Sequence, residues 1–274
     1  MGKIVSAYIY PHPPIIIPEI GRGEENGASN TVEACKRAAK DLKSKNPDTL
    51  LVITPHGPAF KDAVAISTDE KLLGSFARFG SPDVSLELEN NQELVDKIAG
   101  YASQAGIPVV SLNTETVSRF KINKNLDHGA LVPLYYISRE LKDFKIVHIC
   151  MGFLSYEELY EFGVCIKKAI EALEGNVAVI ASGDLSHRLT PDAPCGYSPQ
   201  GKEFDKKLVG LLAEARFDDV MKIDEALIET AGECGMRPFV IMFGCLEGCN
   251  VSSQIFSYEG PFGVGYCVAE FNLV

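Results

Sequence analysis

Short apolar runs and helix-like segments alternate along almost the whole chain. The runs at 4–9, 50–53 and 177–180 each have the length and composition of a buried strand. Between them lie segments of helical periodicity, such as 30–44 and 155–173, the second of which opens on the capping-box motif SYEE. This alternation predicts an α/β fold whose mainly parallel sheet is covered by helices on both faces.

The rest of the chain continues the same pattern. We found no linker, internal repeat or low-complexity stretch, and we therefore predict a single domain over residues 1–274. Further strands are predicted near 63–67, 108–112, 145–149, 251–258 and 263–271, and further helices near 91–105, 129–141, 201–215 and 237–246.

The charge balance argues against some classes of partner. Acidic residues outnumber basic ones by 37 to 26, and no basic stripe is present to neutralise phosphates, so we expect no nucleic-acid partner. No apolar run approaches the roughly 20 residues that span a bilayer, and the first residues lack the apolar core of a signal peptide. We expect a cytoplasmic protein without a membrane partner, whose eight cysteines are buried thiols and not disulfides.

Three of the five histidines follow directly on strand-like runs and are flanked by proline or glycine. His12 lies in YPHPP, His56 in TPHG, and His187 ends the motif SGDLSH. The carboxyl ends of strands line the ligand crevice of an open α/β sheet. Either His12 or His56 alone is better interpreted as a loop histidine bonded to backbone. Together they predict a metal site, because neutral imidazole is the commonest metal ligand among side chains.

A third ligand is needed for the set of two histidines and one carboxylate that leaves open positions on non-haem Fe(II). Asp184, close to His187, is one candidate. Glu233, in the glycine-flanked turn AGECGMRP, is the other. The residues by themselves do not choose between the two carboxylates.

His187 and His128 are candidates for roles beside the metal. His187 titrates near neutral pH and suits a general acid/base, although a fourth structural ligand or a helix-start histidine fits equally. His128, in LDHGA, stands at a predicted helix N-terminus, where a neutral imidazole is favoured and could donate to a substrate oxygen. An ordinary turn histidine is the alternative there. His148 is interpreted as a buried strand residue without a role.

In their order and spacing, these motifs resemble the class III extradiol ring-cleavage dioxygenases, in the branch that includes the Memo-like proteins. The resemblance covers nearly the whole chain and rests on His12 and on the motifs TPHG, DHG, SGDLSH and ECG. It implies a three-layer α/β/α sandwich and cleavage of a small aromatic diol by O2 at non-haem Fe(II). It also implies that His12, His56 and Glu233 are the metal ligands, that His187 is the acid/base and that His128 contacts a substrate hydroxyl.

The resemblance leaves one alternative open at the third ligand. Memo-like relatives have a cysteine near the expected carboxylate, and here Cys234 directly follows Glu233. A His/His/Cys site would suit zinc or copper better than iron. The protein would then be a metal-binding protein without dioxygenase activity that acts with a partner domain or a radical enzyme. A metallohydrolase is a weaker option, and a homo-oligomer is compatible with the resemblance.

Overall fold

The computed structural model describes all 274 residues, from Met1 to Val274. Its strands are β1 (Lys3–Tyr10), β2 (Thr49–Thr54), β3 (Val64–Ser67), β4 (Lys71–Phe76), β5 (Ser81–Glu89), β6 (Val109–Leu112), β7 (Lys145–Cys150), β8 (Asn176–Ser182), β9 (Val251–Glu259) and β10 (Tyr266–Leu273). Eight of them form one sheet in the order β6-β3-β7-β2-β8-β1-β10-β9. The central strands β7, β2, β8 and β1 are parallel, which confirms the predicted mainly parallel sheet.

The helices lie on both faces of this sheet. They are α1 (Pro18–Gly21), α2 (Ser29–Ser44), α3 (Gln92–Gln104), α4 (Thr114–Phe120), α5 (His128–Glu140), α6 (Tyr156–Glu171), α7 (Pro199–Ala213), α8 (Phe217–Val220), α9 (Glu225–Ala231) and α10 (Met236–Cys245). Helices α2 and α5 pack on one face, and α3, α6 and α10 pack on the other. The three-layer α/β/α arrangement is therefore confirmed. None of these helices combines the length and apolar character needed to cross a membrane.

The central strands are buried on both sides. Successive side chains of a strand point to opposite faces. In β2, Leu50 and Val52 belong to the apolar core under α2 and α5, whereas Leu51 and Ile53 belong to the core under α6 and α10. All of β2 is buried, which explains why its sequence is a continuous apolar run without polar alternation. Two apolar cores thus lie on the two faces of one sheet. The assignment of a single domain over residues 1–274 stays a prediction.

The carboxyl ends of the parallel strands meet at one edge of the sheet. Tyr10, the last residue of β1, is in register with Ser182, the last residue of β8. His12 and His56 each follow two residues after the end of their strand, at this same edge. The position matches the ligand crevice of open α/β sheets.

One hairpin, formed by β4 and β5, is absent from our sequence predictions. In β4 only alternate residues are buried, namely Leu72, Gly74 and Phe76. One of these is a glycine, so the apolar signal of this half-buried strand is weak. The turn after β4 places Phe79 beside His128, with 5.5 Å between their ring centroids. The hairpin therefore contributes to the same edge as the histidines.

Helices α6 and α10 cross at two glycines that let their backbones touch. A Cβ atom on Gly163 would lie 2.1 Å from the carbonyl oxygen of Ile241. A Cβ atom on Gly244 would lie 2.0 Å from the carbonyl oxygen of Tyr160. Any side chain at either position must therefore push the two helices apart.

We predict that Gly163→Ala lowers the free energy of unfolding by about 1–3 kcal/mol, because it overpacks this crossing. Urea unfolding measures the change. Gly100→Ala is the matched control, because Gly100 is an exposed position of α3 with nothing within 4 Å of the added methyl group. That control should be neutral or up to about 1 kcal/mol more stable. Equal effects at both positions would contradict the proposed close contact.

Candidate metal centre

Three imidazoles meet at the carboxyl edge of the sheet. The ring centroids of His12 and His56 are 4.6 Å apart, with the rings nearly perpendicular at 88°. His128, the first residue of α5, stacks on His56 with 4.4 Å between centroids and 21° between planes. Ring nitrogens of all three histidines lie within 4.8 Å of one another. The fold thus brings together two predicted metal ligands and the predicted substrate contact.

Hydrogen bonds select the tautomer of His12. The hydroxyl of Ser182 donates to the carbonyl oxygen of Gly129 at 2.5 Å, and its oxygen lies 2.9 Å from Nδ1 of His12. Because the single hydroxyl proton is already used, Ser182 must accept the proton on Nδ1. Nε2 of His12 then carries a free lone pair. A metal-binding histidine usually shows this arrangement, in which the second nitrogen donates to a fixed acceptor.

All four histidines at this edge are held neutral. Burial, reinforced by the neighbouring imidazoles, lowers the pKa of His12 well below its usual value and that of His56 to about 4. Burial also lowers the pKa values of His128 and His187. Neutral imidazole is the form that binds a metal ion, so the cluster is in the ligand state at neutral pH.

His187 has a ring nitrogen without a partner. Its backbone N–H donates to the carbonyl oxygen of Ala231 at 3.2 Å, which anchors the loop that follows β8. Its Nδ1 atom is buried and makes no hydrogen bond. The ring lies close enough to His12 and His56 to influence their pKa values. An unpaired buried nitrogen is costly, so this atom is available to bond to a molecule bound beside it.

Glu233 and Cys234, in the turn before α10, face different neighbours. Oε2 of Glu233 accepts the backbone N–H of Met236 at 2.6 Å and so caps the start of α10. The Glu233 side chain also lines a separate cavity of about 380 Å³. The Sγ atom of Cys234 lies 3.5 Å from Nε2 of His12. The thiol of Cys234 therefore lies beside the histidine cluster. The role of Glu233 as a metal ligand stays a prediction.

The surroundings of this turn disfavour the ionised form of both side chains. Burial raises the pKa of Glu233 to about 7, with its hydrogen bonds acting in the opposite direction. Burial also holds the pKa of the Cys234 thiol well above its usual value. A bound cation would favour the ionised form of either group, so ligation by one of them must displace a proton.

Asp184, the other carboxylate considered from the sequence, contacts both the backbone and the ring of His12. Its Oδ1 atom accepts the backbone N–H of His12 at 2.9 Å, and its Oδ2 atom lies 3.8 Å from Nε2 of the same residue. Burial raises the pKa of Asp184 to about 7. The contact fixes the loop after β1 against the loop after β8.

The histidine cluster opens into a cleft of about 640 Å³. His56 and His128 form one wall, and Arg78 and Phe79 from the hairpin turn form another. A cleft of this volume accommodates a small organic molecule. The sequence did not identify Arg78 and Phe79 as site residues, because no local motif connects a hairpin turn to histidines in other segments of the chain.

The donor set fits a divalent transition metal ion. Imidazole nitrogens suit iron, zinc and copper, and the remaining donor decides among these metals. Completion by a carboxylate favours Fe(II), whereas completion by a thiolate favours zinc or copper. His12 and His56, together with either Glu233 or Cys234, are the residues that would hold the ion.

Comparison with known proteins gives relatives of two kinds. A protein of Clostridium acetobutylicum is 45% identical over 97% of this chain, and the chain spans 57% of that protein's length. The 3,4-dihydroxyphenylacetate 2,3-dioxygenase of Escherichia coli is 27% identical, with 96% of this chain and 97% of the enzyme covered. A MEMO1 family protein of Methanocaldococcus jannaschii is 29% identical over 44% of this chain and 40% of that protein.

The fold itself recurs in a solved structure. The crystal structure of an uncharacterized protein of Escherichia coli K12 superposes with a TM-score of 0.64 at 14% identity, covering 97% of this chain and 99% of that one. Residues 6–269 match the family described as the catalytic LigB subunit of aromatic ring-opening dioxygenase. The resemblance inferred from the histidine motifs is thereby confirmed, and the chain belongs to this LigB family.

Proposed function

We propose that this protein is a non-haem Fe(II)-dependent extradiol dioxygenase that opens the ring of a small aromatic diol with O2. The observation that carries the proposal is the cluster of neutral imidazoles at the rim of a cleft. The two family relatives that are named as dioxygenases act, by those names, on 3,4-dihydroxyphenylacetate and 2-aminophenol. We therefore expect a substrate with two adjacent donors on an aromatic ring.

His12 and His56, with Glu233 as the third ligand, would hold the ion. A bound Fe(II) ion would supply the redox chemistry that the reaction of an aromatic diol with O2 requires. The protein keeps His12 oriented through Ser182 and Asp184, so that its Nε2 lone pair is available. The aromatic ring would lie in the cleft against Phe79.

His187 would accept the proton that the diol loses when it binds and would return it later in the reaction. Its unpaired Nδ1 atom and its neutral state suit this role. His128 would donate a hydrogen bond to a substrate oxygen. Its stacking on His56 keeps its ring facing the same space as the metal ligands.

A second candidate function follows from the position of Cys234. Its Sγ atom is 3.5 Å from Nε2 of His12, whereas the carboxylate of Glu233 is engaged with the N-terminus of α10. This geometry favours a His/His/Cys site for zinc or copper, as in a Memo-like metal-binding protein without dioxygenase activity. MEMO1 family proteins are among the relatives, so family membership is compatible with both functions.

The first prediction concerns activity. Anaerobic reconstitution with Fe(II), followed by addition of O2 and a panel of catechols, should give yellow ring-cleavage products that absorb in the visible range. Zn(II)-loaded protein is the control and should be inactive, because zinc has no redox chemistry. If the protein binds iron stoichiometrically but converts none of the catechols, the proposed dioxygenase function is wrong and the Memo-like function remains.

The second prediction distinguishes Glu233 from Cys234 as the third metal ligand. If Fe(II) is held by a carboxylate, Glu233→Gln should weaken iron binding by at least ~10-fold, and Cys234→Ser should leave it nearly unchanged. Metal content after purification without added metal, together with competition titrations, measures both variants. The opposite pattern, with zinc or copper lost only in Cys234→Ser, would exclude Glu233 as a ligand.

The third prediction concerns the proton carrier. His187→Gln should reduce turnover by ~10²–10⁴-fold while iron stoichiometry stays near that of the wild type. The glutamine preserves bulk and hydrogen bonding but cannot carry a proton at neutral pH. Loss of iron in this variant would show instead that His187 is a ligand.

A further inference from the structure

His148 is a polar residue in the middle of the apolar strand β7. Its side chain is fully buried. Both ring nitrogens have partners, because Nδ1 lies 2.9 Å from the hydroxyl of Ser67 and Nε2 lies 3.2 Å from Oδ2 of Asp127. A buried imidazole that is bonded at both nitrogens is held in one orientation. His148 thus provides a rigid support for the Asp127 carboxylate.

The carboxylate of Asp127 binds three groups at once. Its Oδ1 atom accepts the hydroxyl of Thr54 at 2.6 Å and the backbone N–H of Gly129 at 2.8 Å, while Oδ2 faces His148. Burial by itself would raise the pKa of Asp127, but the interactions with His148 and Thr54 outweigh it and lower the pKa. The bond to Gly129 caps α5, the helix that begins at His128.

Thr54 extends the same network to the other histidine loop. While its hydroxyl donates to Asp127, its oxygen accepts the backbone N–H of His56 at 3.2 Å. One carboxylate therefore reaches the loop of His56 through Thr54 and the start of α5 through Gly129. The backbone segments that carry the two stacked imidazoles are therefore both anchored to Asp127.

The glycine that follows each of these histidines fits the same arrangement. A Cβ atom on Gly57 would lie 2.0 Å from Sγ of Cys150 and 3.2 Å from Oδ2 of Asp127. A Cβ atom on Gly129 would lie 2.3 Å from the hydroxyl oxygen of Thr54. The motifs TPHG and DHG thus each combine a polar anchor, a histidine and a glycine that makes room for the anchor.

We propose that Asp127, supported by His148, is a positioning residue that holds His56 and His128 in their mutual geometry at the metal centre. Thr54 is its link to His56. The proposal rests on the proposed metal site, but it concerns the hydrogen bonds behind the imidazoles and not the bound ion. Such supporting contacts commonly affect metal affinity or activity by about 10–100-fold.

A different interpretation would make Asp127, His148 and Cys150 a second metal site, because their donor atoms lie within 4.8 Å of one another. The hydrogen bonds oppose it. Both carboxylate oxygens of Asp127 and both ring nitrogens of His148 already have protein partners. Burial also holds the pKa of the Cys150 thiol well above its usual value, which disfavours the thiolate that a metal requires.

The test compares Thr54→Val, which removes the hydroxyl at nearly constant shape, with Thr54→Ser, which keeps it. Thr49→Val is the matched control, because Thr49 is a buried residue of the same strand that accepts a hydrogen bond from the Asn91 side chain at 2.8 Å, at the opposite end from the site. Each variant of the full chain is titrated with Co(II), and the visible spectrum of the bound Co(II) is recorded.

Thr54→Val should weaken Co(II) binding by about 10–100-fold and alter the Co(II) spectrum. Thr54→Ser and Thr49→Val should leave both near wild type. Equal behaviour of Thr54→Val and Thr49→Val would overturn the proposal, because a general loss of buried hydrogen bonding would then explain the effect. A second Co(II) per chain that disappears in Cys150→Ala would also overturn it, in favour of the second metal site.

Amide hydrogen exchange on metal-free protein tests the positioning independently of the ion. Exchange of the His56 N–H should be faster in Thr54→Val than in wild type and unchanged in Thr49→Val. If wild-type protein binds no Co(II), the proposed metal function fails, while this exchange comparison still supports or refutes the role of Thr54. Asp127→Ala, which removes the acceptor for Thr54, should also increase this exchange, and exchange at the wild-type rate in that variant would overturn the role of Asp127 as the anchor.

Discussion

The parallel alignment of β1, β8 and β2 is the constraint on which the rest of the structure depends. The carboxyl ends of parallel neighbours lie at the same edge, so residues that follow different strands arrive together although they are far apart in sequence. His12, His56 and the loop that carries His187 meet for this reason. The helices on both faces then bury the strands completely and leave the strand ends as the place for a site.

Burial determines the chemistry at that edge. Imidazoles that are packed against one another lose hydration, and each would repel a neighbour that carried charge, so they remain neutral. In His12, Nδ1 is committed to Ser182, so Nε2 is the nitrogen that a cation would bind. The same burial raises the pKa values of Cys234 and Glu233, and a bound cation would oppose that shift. Assembling the buried imidazoles therefore costs electrostatic free energy, and a bound metal ion would offset that cost.

Membership of the LigB family leaves the third metal ligand open between two adjacent residues of one turn, and we propose that this ligand decides the chemistry. The adjacent residues Glu233 and Cys234 point to different neighbours, because consecutive side chains in a tight turn diverge. Exchanging a carboxylate for a thiolate changes the preferred metal, and with it the reactions that are accessible. Relatives that are named as dioxygenases and relatives of the MEMO1 family both match this chain, so family membership does not choose between the two proposed third ligands.

The sequence by itself determined the α/β class, most strand and helix positions and the histidine motifs, because apolar periodicity and strand-end histidines are local signals. It gave no sign of the half-buried hairpin that carries Phe79, whose apolar pattern is weak. The sequence correctly predicted that His148 is buried, but it indicated no hydrogen-bond partner for this residue. Only the tertiary structure decided that His148 supports Asp127 and that Cys234 lies beside His12. Hydrogen bonds between residues of distant segments depend on strand order and on side-chain direction, which no local pattern encodes.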